Sequence, residues 1–330
     1  MLTRSNSDLF DTVEALAGVN DFTSEEKANL VDLANRRATM AYNTSPMWDR
    51  YVAIGSERNV SLFEITGATF ENGLYFRYGK SEYTTGIFND VYTQMNATNS
   101  SSRSYVMRQN QDGKWILGAF TYTRDPQTDI VTYSSGTVVA TQADDGILTS
   151  PTEVKEWTSS SIENLFVNPK QVVPYQDVHE ANDNTTVRVS REQIIDFIRI
   201  HKDQAFLNRS TTEYDFYVDS NGANILNITP GTQKVFVTFK KKIDPGSGSS
   251  TGVLINSYTS GTSIPGEFFN YIAHGTYADF LRMDGQHDKA AFEEQKAEMF
   301  LATELERIDI INNNNSLNHK FSTYVNRSSR

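Results

Sequence analysis

Helical spacing at both ends of the chain, with a long strand-like stretch between them, most narrows what this sequence can fold into. Residues 8–50 and 265–311 carry apolar side chains three and four positions apart, the repeat of one helix face, whereas residues 51–260 read mostly as strands and turns. Neither helical end can bury its stripe alone, and helices of this length draw most of their stability from packing. The two ends are therefore expected to pack on each other. The fold class that follows is α+β, a helical bundle from the N- and C-terminal helices with a large inserted β-rich region.

The local signals are specific. A short helix near Leu9–Leu16 stops at Gly18. Thr23-Ser24-Glu25-Glu26 has the form of a capping box, and Leu30, Leu33, Ala34, Ala38 and Ala41 follow at helical spacing until Ser45-Pro46. Trp48 and Tyr51 are expected to pack back on that helix. In the middle, Tyr105–Arg108 and Lys114–Leu117 flank Asp112-Gly113 and predict a hairpin, and Asn72-Gly73 and Asn221-Gly222 mark further turns. Arg191–Phe206 reads as a brief helix, and Lys234–Ile243 as an alternating strand. Glu267–Met283 and a helix capped by Asp288 close the periodic part. Residues 312–330, rich in Asn, show no stripe and are expected to be extended. The expected segments are 1–59 (helical core, N-terminal part), 60–165 (a small inserted β domain), 166–264 (a second β segment with linkers), 265–311 (helical core, C-terminal part) and 312–330 (tail). Leu30, Leu33, Trp48, Phe268, Leu301 and Leu305 are the expected packing residues of the bundle.

Charge narrows the partners. Lys and Arg total 30 against 41 Asp and Glu, a formal net charge of −11. Such a chain repels nucleic acid as a whole, which excludes a DNA-coating role but suits a channel through which DNA slides. The absence of cysteine removes disulfides and thiolate metal sites. No run of 18 apolar residues is present and the start lacks a signal-peptide core, so no membrane association is expected.

The chemistry-bearing residues form no recognised constellation. None of the five histidines has metal-ligand spacing, and no nucleophile elbow, phosphate loop or dinucleotide fingerprint occurs. His274, on a helix with Asp279, reads better as a helix-face histidine at a subunit contact than as an acid–base or metal residue. No catalytic residue, metal or cofactor is expected, and the chain is read as non-enzymatic. Tyr75, Tyr78, Trp115 and Tyr122 are a candidate sugar-stacking platform, weighed against the simpler reading that they fill a β core.

Glu26–Leu30, Ala34–Ala38 and Trp48 resemble the first long helix of tailed-phage head-to-tail adaptor (connector) proteins. Phe268–Ala273, Ala278–Arg282 and Ala290–Arg307 resemble the closing helices of that family, and Asp219–Phe239 resembles its short β segment. Relative to the family, residues 60–190 enlarge the β insert. The resemblance implies a virion structural protein of the neck, assembled in the host bacterial cytoplasm. Its subunits would form a homo-oligomeric ring, usually a dodecamer, between the portal protein and a tail nozzle, stopper or tube protein, and packaged DNA would pass without specific binding. It also implies that the C-terminal tail reaches the portal, through Leu317, Lys320, Phe321, Tyr324, Arg327 and Arg330. The alternative is a tail or decoration protein whose β domain binds carbohydrate.

Overall fold

A computed structural model of the chain describes residues 3–68, 70–84, 86–94, 104–108, 113–125, 127–159, 162, 164–180, 187–203, 213–243, 255, 257–258 and 263–328, some of them by backbone alone. In chain order, β1 (Thr3–Ser5) leads into α1 (Asn6–Ala17) and α2 (Ser24–Asn43). The strands β2 (Val52–Asn59), β3 (Phe63–Thr66), β4 (Gly73–Thr84), β5 (Ile87–Gln94), β6 (Ser104–Arg108), β7 (Trp115–Arg124) and β8 (Val131–Gln142) follow. Next come β9 (Trp157–Ser159), β10 (Phe166–Pro169), β11 (Val172–Pro174), β12 (Gln176–Glu180) and β13 (Val187–His201). β14 (Phe216–Val218), β15 (Gly222–Ile225), β16 (Lys234–Lys241) and β17 (Ser263–Pro265) precede α3 (Gly266–Met283) and α4 (His287–Ser328). These elements form two compact units, residues 1–52 with 242–330 and residues 53–241.

The first two helices start and stop where their sequence dictates, whereas α4 begins at His287, with Asp288 in its first turn instead of at its cap. Thr23 Oγ1 accepts from the Glu26 amide and Glu26 accepts from the Thr23 amide at 2.8 Å, the reciprocal cap that the tetrad promised. Ser5 and Asp8 cap α1 in the same way, and Gly18 ends it in the left-handed conformation that glycine adopts without a Cβ penalty. One core unites Leu9, Phe10 and Val13 of α1, Leu30, Ala34 and Ala38 of α2, Phe268 and Ile272 of α3, and Ala297, Leu301 and Ile308 of α4. Trp48 does pack back: its Nε1 donates to Ala41 O at 3.1 Å and its ring meets Phe268 edge-on. Leu305 is partly buried against the same core. Leu33 lies at the edge of the α2 stripe, half-buried and outside the core, so its expected role is corrected. The place beside it in the stripe goes to Arg37.

The fold is nevertheless not a helical bundle carrying an insertion. Among the described residues strands take 39% and helices 32%, and the largest sheet is a curled eight-stranded antiparallel half-barrel in the order β10-β3-β4-β5-β6-β7-β8-β9. The bundle expectation weighted the clearest periodicity, whereas strands of three to fifteen residues leave fainter signals while pairing into the larger structure. Tyr105↔Gly118 and Arg108↔Trp115 form the expected hairpin, and β10 returns to pair with β3, Phe166 opposite Thr66. The half-barrel therefore spans residues 63–169. It belongs to one unit with a three-stranded sheet (β11-β15-β14) and a four-stranded sheet (β12-β13-β16-β2), which share Val173, Ile200, Ala223, Val237 and Phe239.

Two further readings are corrected. Arg191–Phe206 is not helical as far as it is described; residues 191–201 belong to β13, where Phe197 faces Phe239 and Ile200 faces Val237. Ile194, Ile195 and Ile198 imitate helical spacing, but β-branched residues beside a partner strand favour the pleated surface. The tail is not extended, because α4 continues to Ser328. A helix already nucleated adds residues at little cost, so a tail judged in isolation is judged without its nucleus.

Candidate interaction surface of the helical unit

The principal polar feature of the helical unit grows out of the α2 stripe. Leu30, Ala34, Arg37, Ala38 and Ala41 are its buried positions, so a guanidinium is carried into an apolar seam. There Arg37 Nε and Nη2 donate to the two oxygens of Asp279 on α3, each at 2.7 Å, while Nη1 and Nη2 donate to those of Glu294 on α4, each at 2.6 Å. Arg37 is only 4% exposed at its side chain, against 12% and 20% for the two acids. Arg282 donates to both carboxylates from the outer side. Planar forks meeting carboxylates in this way are the strong form of ion pair, and here they lock three helices together. Burial opposes the charge on Arg37, but Glu294 and Asp279 outweigh it and hold the guanidinium protonated.

The clasp explains a glycine in mid-helix. A Cβ on Gly275 would lie 2.9 Å from Arg37 Cδ and 3.0 Å from its Nε. Arginine is flexible when free, but these atoms are fixed by the carboxylates. Gly275→Ala is therefore expected to destabilise the wild-type protein although alanine is the better helix former, and to stabilise an Arg37→Ala background by up to about 1 kcal/mol. Thermal melts of the four proteins of this cycle measure the coupling; additive effects would remove Arg37 as the reason for the glycine.

The carboxylates give the unit a pH dependence. Arg37 hydrogen bonds hold Glu294 below its ordinary range, with burial opposing. For Asp279 burial would push the value up, but the bonds and charges of Arg37 and Arg282 win and lower it. Groups with depressed folded values stabilise above their unfolded values and lose that contribution as pH falls through the folded ones. The helical unit should hold its stability down to about pH 5 and lose it steeply below about pH 4. Urea titrations across that range, with α2 and α3 followed by hydrogen exchange, check the expectation.

A second polar group lies nearby. His274 Nδ1 is 2.7 Å from Glu293 Oε2, the ring stacks on Phe300, and Lys296 bonds the other Glu293 oxygen. Burial would raise the Glu293 value, but Lys296 and His274 lower it. Among the described residues no group of three or more His, Asp or Glu is placed to hold a metal.

An open groove of about 380 Å³ borders Glu293, lined by Leu16, Tyr277, Leu281 and Phe292. Phe292 and Met299, seven residues apart on α4, are each 59% exposed, and Met283 at the end of α3 is 62% exposed. These are large apolar groups for a charged helix face.

The sugar-stacking candidates are corrected. Tyr75 and Trp115 are almost wholly buried in one cluster of the half-barrel, Tyr75 stacked on Phe63 and Trp115 donating to Leu148 O, so neither offers a ring face to a ligand. Tyr78 is buried in a different cluster, so the set makes no single platform. Only the backbone of Tyr122 is described. Of the portal-binding candidates, Leu317, Lys320, Phe321, Tyr324 and Arg327 lie on the distal backbone of α4, and Arg330 is outside the described residues. Sequence reasoning missed Arg37, Asp279 and Glu294 as one group. The available signals were an arginine inside an alanine-rich stripe and a glycine inside an aromatic helix. No protein-family model matches the chain, and no curated protein or solved structure matches it either.

Proposed function

We propose that this chain is a non-enzymatic virion structural protein, a subunit of the adaptor ring between portal and tail in a tailed phage. One observation carries the reading. The segments that resemble the adaptor family, Glu26–Leu30 and Ala34–Ala38 on α2, Phe268–Ala273 and Ala278–Arg282 on α3 and Ala290–Arg307 on α4, come from opposite ends of the sequence and meet around Arg37. A resemblance scattered along a chain gains weight when its pieces build one structural unit. The remaining piece, Asp219–Phe239, belongs to the β unit and adds no such support. The carbohydrate-binding alternative loses its basis with the burial of Tyr75, Tyr78 and Trp115.

On this reading the chain works by geometry: a rigid helical unit repeats around an axis, the portal lies on one side and a tail protein on the other, and the acidic surface leaves DNA free to slide. The test is to mix the purified chain with assembled portal rings and image the product. A ring of subunits capping the portal is the expected result. A chain that stays monomeric and leaves the portal bare under all conditions would overturn the proposal.

A further inference from the structure

The groove beside Phe292 and the far half of α4 are complementary features of the same unit. α4 has 42 residues, about 63 Å, whereas α3, against which it packs, has 18, about 27 Å. Among the described side chains, Ile308 is the last of α4 to enter the core. About 30 Å of helix therefore runs on past it. Four successive asparagines, Asn312–Asn315, are poor helix formers, so this half needs packing to persist. Taken from residue 312 the tail shows no stripe. Joined to α4 it does: Ile310, Leu317, Phe321 and Tyr324 are spaced seven, four and three residues apart, the interval of one helix face.

Charge selects the occupant. Residues 310–330 carry Lys320, Arg327 and Arg330 and no acidic residue, while the rest of the unit, 1–52 and 242–309, carries 19 acidic residues against 10 basic ones. At the groove itself Asp288 and Glu293 stand with Lys289, and Glu293 is paired with Lys296 and His274, so the acidic excess is that of the unit as a whole. A basic apolar helix and an apolar groove on an acidic unit suit each other, but Phe292 and Phe321 are about 44 Å apart along a straight helix. The helix cannot fill its own groove without breaking.

We propose that the distal part of α4 docks in the α1–α3–α4 groove of a second copy of this chain. This rests on the ring reading and specifies its subunit contact. The contact uses a different surface on each partner, the type that closes into rings. It assigns distal α4 to the neighbouring subunit rather than to the portal.

The chain ending at Asp309 and the full-length Phe292→Asp variant test the proposal by sedimentation and native mass spectrometry. Phe292 is largely exposed, so the variant should fold as the wild type does. Self-association should weaken about tenfold or more in Phe292→Asp and be lost in the truncated chain, with thermal melts unchanged. The chain has no cysteine, so single thiols report the contact directly. A tagged Lys289→Cys chain mixed with an untagged Ser322→Cys chain should join through a short bis-maleimide. Rings that assemble equally well without residues 310–330 would overturn the docking and leave the ring reading standing. So would a truncated chain that keeps its rings and loses only the portal, or a double-thiol chain that links within itself at high dilution. A full-length chain that neither self-associates nor binds the portal would overturn both.

Discussion

Arg37→Met is expected to lower the stability of the helical unit by about 3 kcal/mol or more, because removing one member of a buried ion pair leaves the others charged without their buried partner. Asp279 and Glu294 would then share only Arg282, which is 43% exposed and a weaker partner. For a unit of this size the loss corresponds to a fall in Tm on the order of 10 °C. The deficit should depend on pH in a definite direction. In the wild type both carboxylates have lowered values and add stability above the unfolded range. Without Arg37, burial dominates and raises them, so the variant is penalised at neutral pH and relieved as the acids take up protons. The gap between variant and wild type should narrow on acidification from pH 7 to pH 4. A melting temperature within about 2 °C of the wild type at pH 7 would show that the clasp is not what holds α2 to α3 and α4.

Leu30→Asp and Leu301→Asp should each cost several kcal/mol and abolish the same cooperative transition. Leu30 is completely buried and Leu301 is 7% exposed, both in the core built from the two chain ends. A carboxylate there has no hydrogen-bond partner to replace water and leaves the space of the lost leucine unfilled. Hydrogen exchange read by mass spectrometry should show peptides of α1, α2, α3 and the part of α4 up to Ile308 losing protection together in either variant. Loss confined to the helix that carries the substitution would mean that the shared core contributes little to stability.

Part of this was legible in the residues. The cap at Thr23 and Glu26 needs only four neighbours in sequence, and the stop at Gly18 needs only one residue able to take a left-handed turn. The hairpin from Tyr105 to Leu117 and the alternation of Val235, Val237 and Phe239 follow from a period of two. Elsewhere the local signal competed with distant partners. Residues 191–201 became strand because β16 offered an edge to pair with, and Tyr75 and Trp115 became core because the half-barrel curled around them. Tail helicity was set by the element it continues, not by its own composition.

The sequence by itself determined where α1 and α2 begin and end and where α3 lies, which faces of the helices are apolar, and that the middle is made of strands, because these depend on contacts within a few residues. Only the tertiary structure decided that the strands outweigh the helices in the fold, that Leu33 stays half-buried while Arg37 is buried, and that Arg37 meets Asp279 and Glu294. Those acids lie 242 and 257 residues further along the chain. An ion pair carries no periodicity, and at such separations nothing local says which of 41 acidic side chains a buried arginine will meet. Packing makes that choice, since a guanidinium in an apolar seam is tolerated only where the fold brings carboxylates to it.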